Sequence, residues 1–331
     1  VTRESKGFLI EESRTNYAVY STKVNNANSN YNMINSAVLV SDAGEAPDGT
    51  NTATKMYPNS SGGARGIEYV FTAPSTGNYT TSIYVKAAGH TGWIALYGVD
   101  GGTRAYFNPT TGVAGQPGTY PSTPAAGDYG IQDVGNGWYR IHLTDTQSNL
   151  GAADYFYIYF GDADGSTSVT HSGTNGILMW GLQIEKGDFP TSYIPTSSAA
   201  VTRGRDELTM SGSDLTDVFN NEEGTMFYEA SLEDITNDNQ PIVAFRDLGT
   251  VTDNYHAMGM RIGGGGSGNL RTWFKSNNAN TYLSNHGSTG LTSKMFYKHI
   301  YGYKLNDAAD AYITATNSSI LTDNTVKPMI A

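Results

Sequence analysis

The sequence predicts an all-β protein built as two tandem antiparallel β-sandwiches. Three observations predict it. Strand and turn formers are abundant, with 23 Tyr and 39 Gly among 331 residues. Tyr favours strands, and Gly supplies turn geometry. Short runs alternate apolar and polar positions, which is the period of a half-buried strand. Clusters of Gly, Pro, Asn and Asp separate these runs. No strand–helix–strand rhythm is present, so a parallel α/β sheet is not expected.

The elements follow in order. Tyr79–Lys86 (YTTSIYVK) puts Tyr79, Thr81, Ile83 and Val85 on one face. Trp93–Tyr97 (WIALY) is short and wholly apolar. The stretch 108–130 is rich in Pro, Gly and Thr and reads as a long loop. Trp138–Leu143 (WYRIHL) places Tyr139, Ile141 and Leu143 opposite Trp138, Arg140 and His142. Tyr155–Phe160 (YFYIYF) separates Phe156, Ile158 and Phe160 from three tyrosines. Ile177–Ile184 (ILMWGLQI) completes the set, with Trp180, Leu182 and Ile184 expected together in the core. APDGT at 46–50, PNSSGG at 58–63, GVDGG at 98–102 and GNG at 135–137 are turns. Two sheets burying a shared apolar layer, as in a jelly roll, fit this spacing.

The length suits about two domains, each with its own core. The first domain is expected over 1–195, a linker over 196–205 and the second domain over 206–331. In the second, 225–230, 242–246, 256–262, 270–274 and 295–303 read as strands. GGGGSGN at 263–269 and NNAN at 277–280 read as turns. The series looks a strand or two short, as if the last pairing came from other residues or another chain. The tripeptide VTR occurs at 1–3 and 201–203, which suggests one kind of junction met twice. The chain opens on Val, as a processed product or a portion of a longer chain would.

Charge and composition exclude several classes. The formal net charge is −11, spread over both halves. No basic patch suits a nucleic-acid groove or an anionic membrane. No apolar run is long enough to span a bilayer. There is no Cys, hence no disulfide or thiolate metal site. The nucleophile elbow, phosphate-loop and HExxH patterns are missing, and six scattered His show no metal-ligand spacing. Glycoside hydrolysis needs two carboxylates across a cleft, and no strand presents such a pair. Glu11 and Glu12 are adjacent and point opposite ways. A noncatalytic protein is therefore expected.

The best binding candidates are aromatic. If Phe156, Ile158 and Phe160 face the core, Tyr155, Tyr157 and Tyr159 line an outer sheet face. Their rings can stack on sugar C–H faces while the hydroxyls bond sugar hydroxyls. Trp93 and Trp138 are expected to extend that platform, and Tyr297 and Tyr301 offer a second one. The competing reading packs the tyrosines under a loop, against the other domain or against another subunit. Asp162 and Asp164 in GDADGS flank a turn and are the one candidate Ca²⁺ pair. Otherwise no cofactor is called for.

Three motifs, GFLIEESRTNYAVYS (7–21), DVGNGWYRI (133–141) and WGLQIEKGDFPTSYIPT (180–196), occur in order over the first domain. They resemble modules of tailed-phage structural proteins of the tail-fibre and head-spike-fibre kind, which are similar to carbohydrate-binding β-sandwiches. The second half, opening on EEGTMFYEA (222–230), resembles concanavalin A-like (laminin G-like) lectin domains. The resemblance implies a virion fibre, spike or decoration subunit that self-associates, as a homotrimer, and contacts other virion proteins or cell-surface glycans. The alternative it implies is a carbohydrate-binding adhesion module, and the third a polysaccharide-degrading enzyme. Structural calcium is common in such lectin-like sandwiches. No set of ligand residues comes with the resemblance.

Overall fold

A computed structural model of the chain describes residues 9–25, 30–118, 123–148, 154–170 and 173–217, and beyond these the backbone of eight further strands between 223 and 323. The chain divides into two compact units, Val1–Glu207 and Leu208–Ala331. The first tripeptide VTR, the GGGGSGN turn and the VKPMIA end lie outside the described residues.

The first unit begins with β1 (Arg14–Asn16), β2 (Tyr31–Ile34), β3 (Ala37–Gly44), β4 (Ala53–Pro58) and β5 (Gly66–Phe71). It continues with β6 (Gly77–Ala88), β7 (Trp93–Tyr97), β8 (Arg104–Asn108), β9 (Val113–Pro117) and β10 (Tyr129–Gly135). It ends with β11 (Trp138–Gln147), β12 (Asp154–Gly161), β13 (Gly176–Lys186) and β14 (Val201–Arg203). Two six-stranded antiparallel sheets form, one in the order β10-β11-β6-β13-β4-β3 and one in the order β2-β5-β12-β7-β8-β9. They share a single apolar core. Ile83, Val85, Ile141 and Met179 enter it from the first sheet, and Ile94, Leu96, Phe107, Phe156 and Phe160 from the second. Each such buried side chain stabilises the unit by about 2 kcal/mol.

Alternation places these residues. On β6, Tyr79, Thr81, Ile83 and Val85 are all fully buried. On β11, Ile141 and Leu143 are buried and Tyr139 packs against the core. The β10–β11 hairpin turns through Asn136 (φ 54°) and Gly137 (φ 75°). Positive φ at both central residues matches a type I′ turn, whose twist suits antiparallel strands.

Two expectations within the large sheets of the first unit are corrected. The stretch 108–130 holds β9 and the start of β10 rather than one long loop. The β9 sequence VAGQP lacks alternation, and pairing with β8 makes it a strand. On β13, Trp180 does not share the core face with Leu182 and Ile184. A bulge between Trp180 and Gln183, with Gly181 at φ 68°, shifts the register. Leu182 and Ile184 enter the main core, whereas Trp180 packs on the outer face with Trp138, Ala46 and Ala53.

Part of the expected linker belongs to the first unit. Val201–Arg203 forms β14, which pairs antiparallel with β1. The Arg203 guanidinium donates to the Glu11 carboxylate, and Thr15 and Thr202 join through their hydroxyls at 2.8 Å. Entry and exit strands are therefore tied side by side.

After a short helix, α1 (Ser213–Thr216), the second unit contains β15 (Glu223–Ser231), β16 (Gln240–Arg246), β17 (Ala257–Ile262) and β18 (Leu270–Ser276). It closes with β19 (Ala279–His286), β20 (Phe296–Lys304), β21 (Tyr312–Thr316) and β22 (Ser319–Asp323). They make two four-stranded antiparallel sheets, β15-β20-β21-β22 and β16-β17-β18-β19. Residues 279–280 start a strand instead of closing a turn. β21 and β22 add two strands where the sequence reading expected a shortfall.

Candidate functional site

The candidate site is the outer face of the second six-stranded sheet. It exists because β12 alternates. Phe156, Ile158 and Phe160 are fully buried, so Tyr155, Tyr157 and Tyr159 emerge on the opposite face. Pairing with β5 and β7 then sets their neighbours. Tyr157 lies between Glu68 and Tyr97, and Tyr97 faces Arg104 on β8. Asn32 on the edge strand stands beyond Glu68. Tyr159 lies between Gly66 and Ala95, with Tyr106 in the next position. The small neighbours leave room for its ring.

The three β12 rings form a row. Tyr155 and Tyr157 have centroids 6.2 Å apart, Tyr157 and Tyr159 5.6 Å, and both pairs are within 15° of parallel. Tyr97 meets Tyr157 edge-on at 5.9 Å and Tyr159 at 5.3 Å. The Arg104 guanidinium sits 5.4 Å from the Tyr97 ring centroid and donates to the Tyr106 hydroxyl at 3.1 Å. On the other flank, the Asn32 amide donates to Glu68 Oε1 at 2.9 Å. Tyr155 is 37% exposed, and Tyr157, Tyr159, Tyr97, Glu68 and Arg104 are half-buried.

This packing alters the phenols. Partial burial, reinforced by the Glu68 carboxylate and the neighbouring tyrosine, pushes Tyr157 up to about 12. Burial, then Tyr97 and Glu68, does the same to Tyr159. Both remain neutral hydroxyls, able to donate and accept, throughout the physiological range.

The expected platform residues divide. Trp93 joins the tyrosine face, since Ile94 and Leu96 alternate with it into the core. Trp138 does not. It lies on β11 in the other sheet, is 3% exposed, and belongs to the small outer cluster with Trp180. Tyr297 and Tyr301 lie on β20, opposite Thr316 and Tyr312 of β21, and their side chains are outside the described residues. Glu68, Tyr97, Arg104, Tyr106 and Asn32 were not expected at the site. Only Tyr97 carried a local signal, being two pairs of residues along from Trp93 in WIALY.

Asp162 and Asp164 bind backbone. The Thr170 N–H donates to Asp162 at 2.8 Å, and the Gln116 N–H donates to both Asp164 oxygens at 3.0 Å. Among the described residues, no group of three or more His, Cys, Asp or Glu is gathered for a metal.

The buried carboxylates of the first unit hold loops. Asp145 accepts from Val99 N–H at 3.1 Å and Asp100 N–H at 3.0 Å, which fastens the β7–β8 turn to β11. Its burial pushes the carboxyl well above the usual range. Asp154 accepts from Ala73 N–H at 2.6 Å and from the Gln147 amide. Glu185 accepts from the Gln183 amide at 2.7 Å and from Thr191 N–H and Oγ1 at 2.9 and 2.7 Å.

Glu185 belongs to a second ordered surface, the outer face of the first sheet. The chain after β13 folds back across it. Tyr193 packs on Trp180 at 4.6 Å and on Tyr84 at 6.1 Å, and Ile194 N–H donates to Gln183 at 2.7 Å. The Trp180 indole N–H finds Thr52 at 3.1 Å. Asn16 locks the arrangement. Its amide donates to Leu182 and Ile194 carbonyls at 3.1 and 2.8 Å, and its oxygen accepts from Ala18 and Ile184 N–H groups at 3.0 Å each.

Among the described residues no helix is long and apolar enough to cross a membrane. No protein-family model matches the chain, and no curated protein matches its sequence.

Proposed function

We propose that the chain is a noncatalytic structural subunit of a tailed-phage particle, a fibre, spike or decoration component displayed on its surface or tail. It works by noncovalent contact, associating with its own copies as a homotrimer and with other virion proteins. One observation carries this reading. The three motifs behind the phage-module resemblance converge on one interlocked surface. Asn16 from the first motif binds Leu182 and Ile194 of the third. Trp138 from the second packs with Trp180 of the third. A signature used to brace a scaffold is what a repeated structural module needs, and the buried carboxylates nearby are engaged with backbone N–H groups.

The test is to purify the particles by density gradient and probe them with an antibody raised to this chain. Labelling at regular positions on intact particles is expected, with sedimentation equilibrium giving the mass of a trimer. Absence from purified particles would sink the proposal.

The tyrosine row on the outer face, exposed at Tyr155 and half-buried at Tyr157 and Tyr159, favours a second reading, a module that attaches to glycans. Aromatic rings flanked by hydrogen-bonding groups suit an amphipathic ligand with apolar C–H faces and many hydroxyls.

A further inference from the structure

We propose that the outer face formed by β2, β5, β12, β7 and β8 binds a neutral, extended polysaccharide along the row Tyr155–Tyr157–Tyr159, flanked by Asn32 and Glu68 on one side and Arg104 on the other. This rests on the glycan-attachment reading and assigns it a surface and a ligand class.

The shape of the row points to an extended chain. Its ring centroids are spaced 6.2 and 5.6 Å along one strand. A linear ligand whose repeat is one pyranose ring meets successive tyrosines in step. A single small molecule would use only part of such a line.

The row is also held in advance. Tyr97 contacts two of its rings edge-on, and Arg104 holds Tyr97 from the far side. Side chains already fixed by their neighbours lose little rotamer freedom when a ligand arrives.

The flanking groups select a neutral ligand. Glu68 lies directly across from Tyr157, and a carboxylate offers about four lone-pair sites. Asn32 uses part of that capacity, and sugar hydroxyls can use more. A uronate or sulfate placed there would meet Glu68 at close range, on a chain whose formal charge is already −11. Arg104 does not offset this freely, because its guanidinium is stacked on Tyr97 and bonded to Tyr106. A protein partner would have to dry the charged groups of Glu68 and Arg104, which is costly without matched partners. A hydrated polysaccharide leaves both wetted.

Affinity electrophoresis of the full chain in native gels tests this, with hydroxyethylcellulose, laminarin and galactomannan as neutral polymers and alginate and heparin as acidic ones. Retardation by at least one neutral polymer is expected, weakened about tenfold in Tyr157→Ala. Tyr155→Ala is the second variant, because an exposed ring can be removed with little effect on folding. Weaker retardation in both variants, at unchanged melting temperature for Tyr155→Ala, supports the proposal. Retardation that neither variant alters overturns this surface but leaves the glycan reading standing. Retardation by acidic polymers alone overturns the ligand class. No retardation in any gel overturns the glycan reading and this proposal together. Self-association abolished by Tyr157→Ala, without retardation, assigns the face to a second copy and also overturns it.

Discussion

Asn16 and Ile194 are 178 residues apart, and the Asn16 amide donates to the Ile194 carbonyl at 2.8 Å. This bond ties the entry of the first unit to the segment that closes it. Asn16 is fully buried and all of its side-chain partners are backbone groups. Truncation leaves several buried donors and acceptors unmet. Asn16→Ala is therefore expected to destabilise the first unit by about 3 kcal/mol or more, read as the midpoint shift in urea unfolding. A loss under about 0.5 kcal/mol, the range of neutral surface changes, would show that the closing segment is not held this way.

The bulge on β13 makes a separate prediction. Gly181 has φ 68°, and a Cβ there would lie 2.9 Å from Tyr84 Cδ2. The left-handed backbone costs an L-residue about 1–2 kcal/mol, and Tyr84 must also move. Gly181→Ala should lower stability by about 2–3 kcal/mol and alter the near-ultraviolet circular dichroism of Trp180, which packs against Tyr84. An unchanged spectrum would mean that Trp180 does not depend on the bulge.

Alkaline titration follows from the tyrosine row. Tyr157 and Tyr159 are pushed up to about 12, above the ordinary phenol. With the folded pKa raised, their contribution to stability is complete below about pH 10. It is lost as pH rises through about 12. In ring-carbon NMR of labelled tyrosine, the resonances assigned to Tyr157 and Tyr159 by Tyr→Phe substitution should titrate late, alongside those of the buried Tyr31, Tyr69 and Tyr193. In Glu68→Gln both should titrate earlier, because a carboxylate that opposes phenolate formation is gone. No change in Glu68→Gln would show that burial and the neighbouring tyrosines set them.

Asp145 gives the opposite end of the pH scale. Burial raises its carboxyl, with Asp100 adding to the effect against the two N–H donors that oppose it. Its linkage contribution is therefore full below about pH 4 and falls as pH rises toward the raised folded value. Relative to Asp145→Asn, the wild type should lose stability as pH is raised from about 4. Asp145→Ala should lose about 2–4 kcal/mol near pH 4, since the Val99 and Asp100 N–H groups lose their acceptor, and that loss should shrink as pH rises. Parallel melting curves for wild type and Asp145→Asn across this range would contradict the buried-carboxylate account.

Much of the fold was legible where one rule operated alone. On β6, β11 and β12, apolar residues at every second position mark the buried face, and the structure buries them. Asn136–Gly137 was readable as a turn because few other pairs accept positive φ twice in succession. On β13 the same rule misled. Alternation assigns Trp180 the face of Leu182 only if no residue is inserted between them, and Gly181 is part of such an insertion. β9 was missed for the converse reason. Its residues carry no pattern, and its conformation comes from hydrogen bonds to β8.

The site divides in the same way. By itself the sequence determined that Tyr155, Tyr157 and Tyr159 share a face, because the two-residue period of a strand is local geometry. Only the tertiary structure decided that Glu68, Asn32, Tyr97 and Arg104 flank them, and that Trp138 stands on the other sheet. Strand order and register depend on which distant apolar faces bury against one another, and that information is not carried by any single stretch of chain.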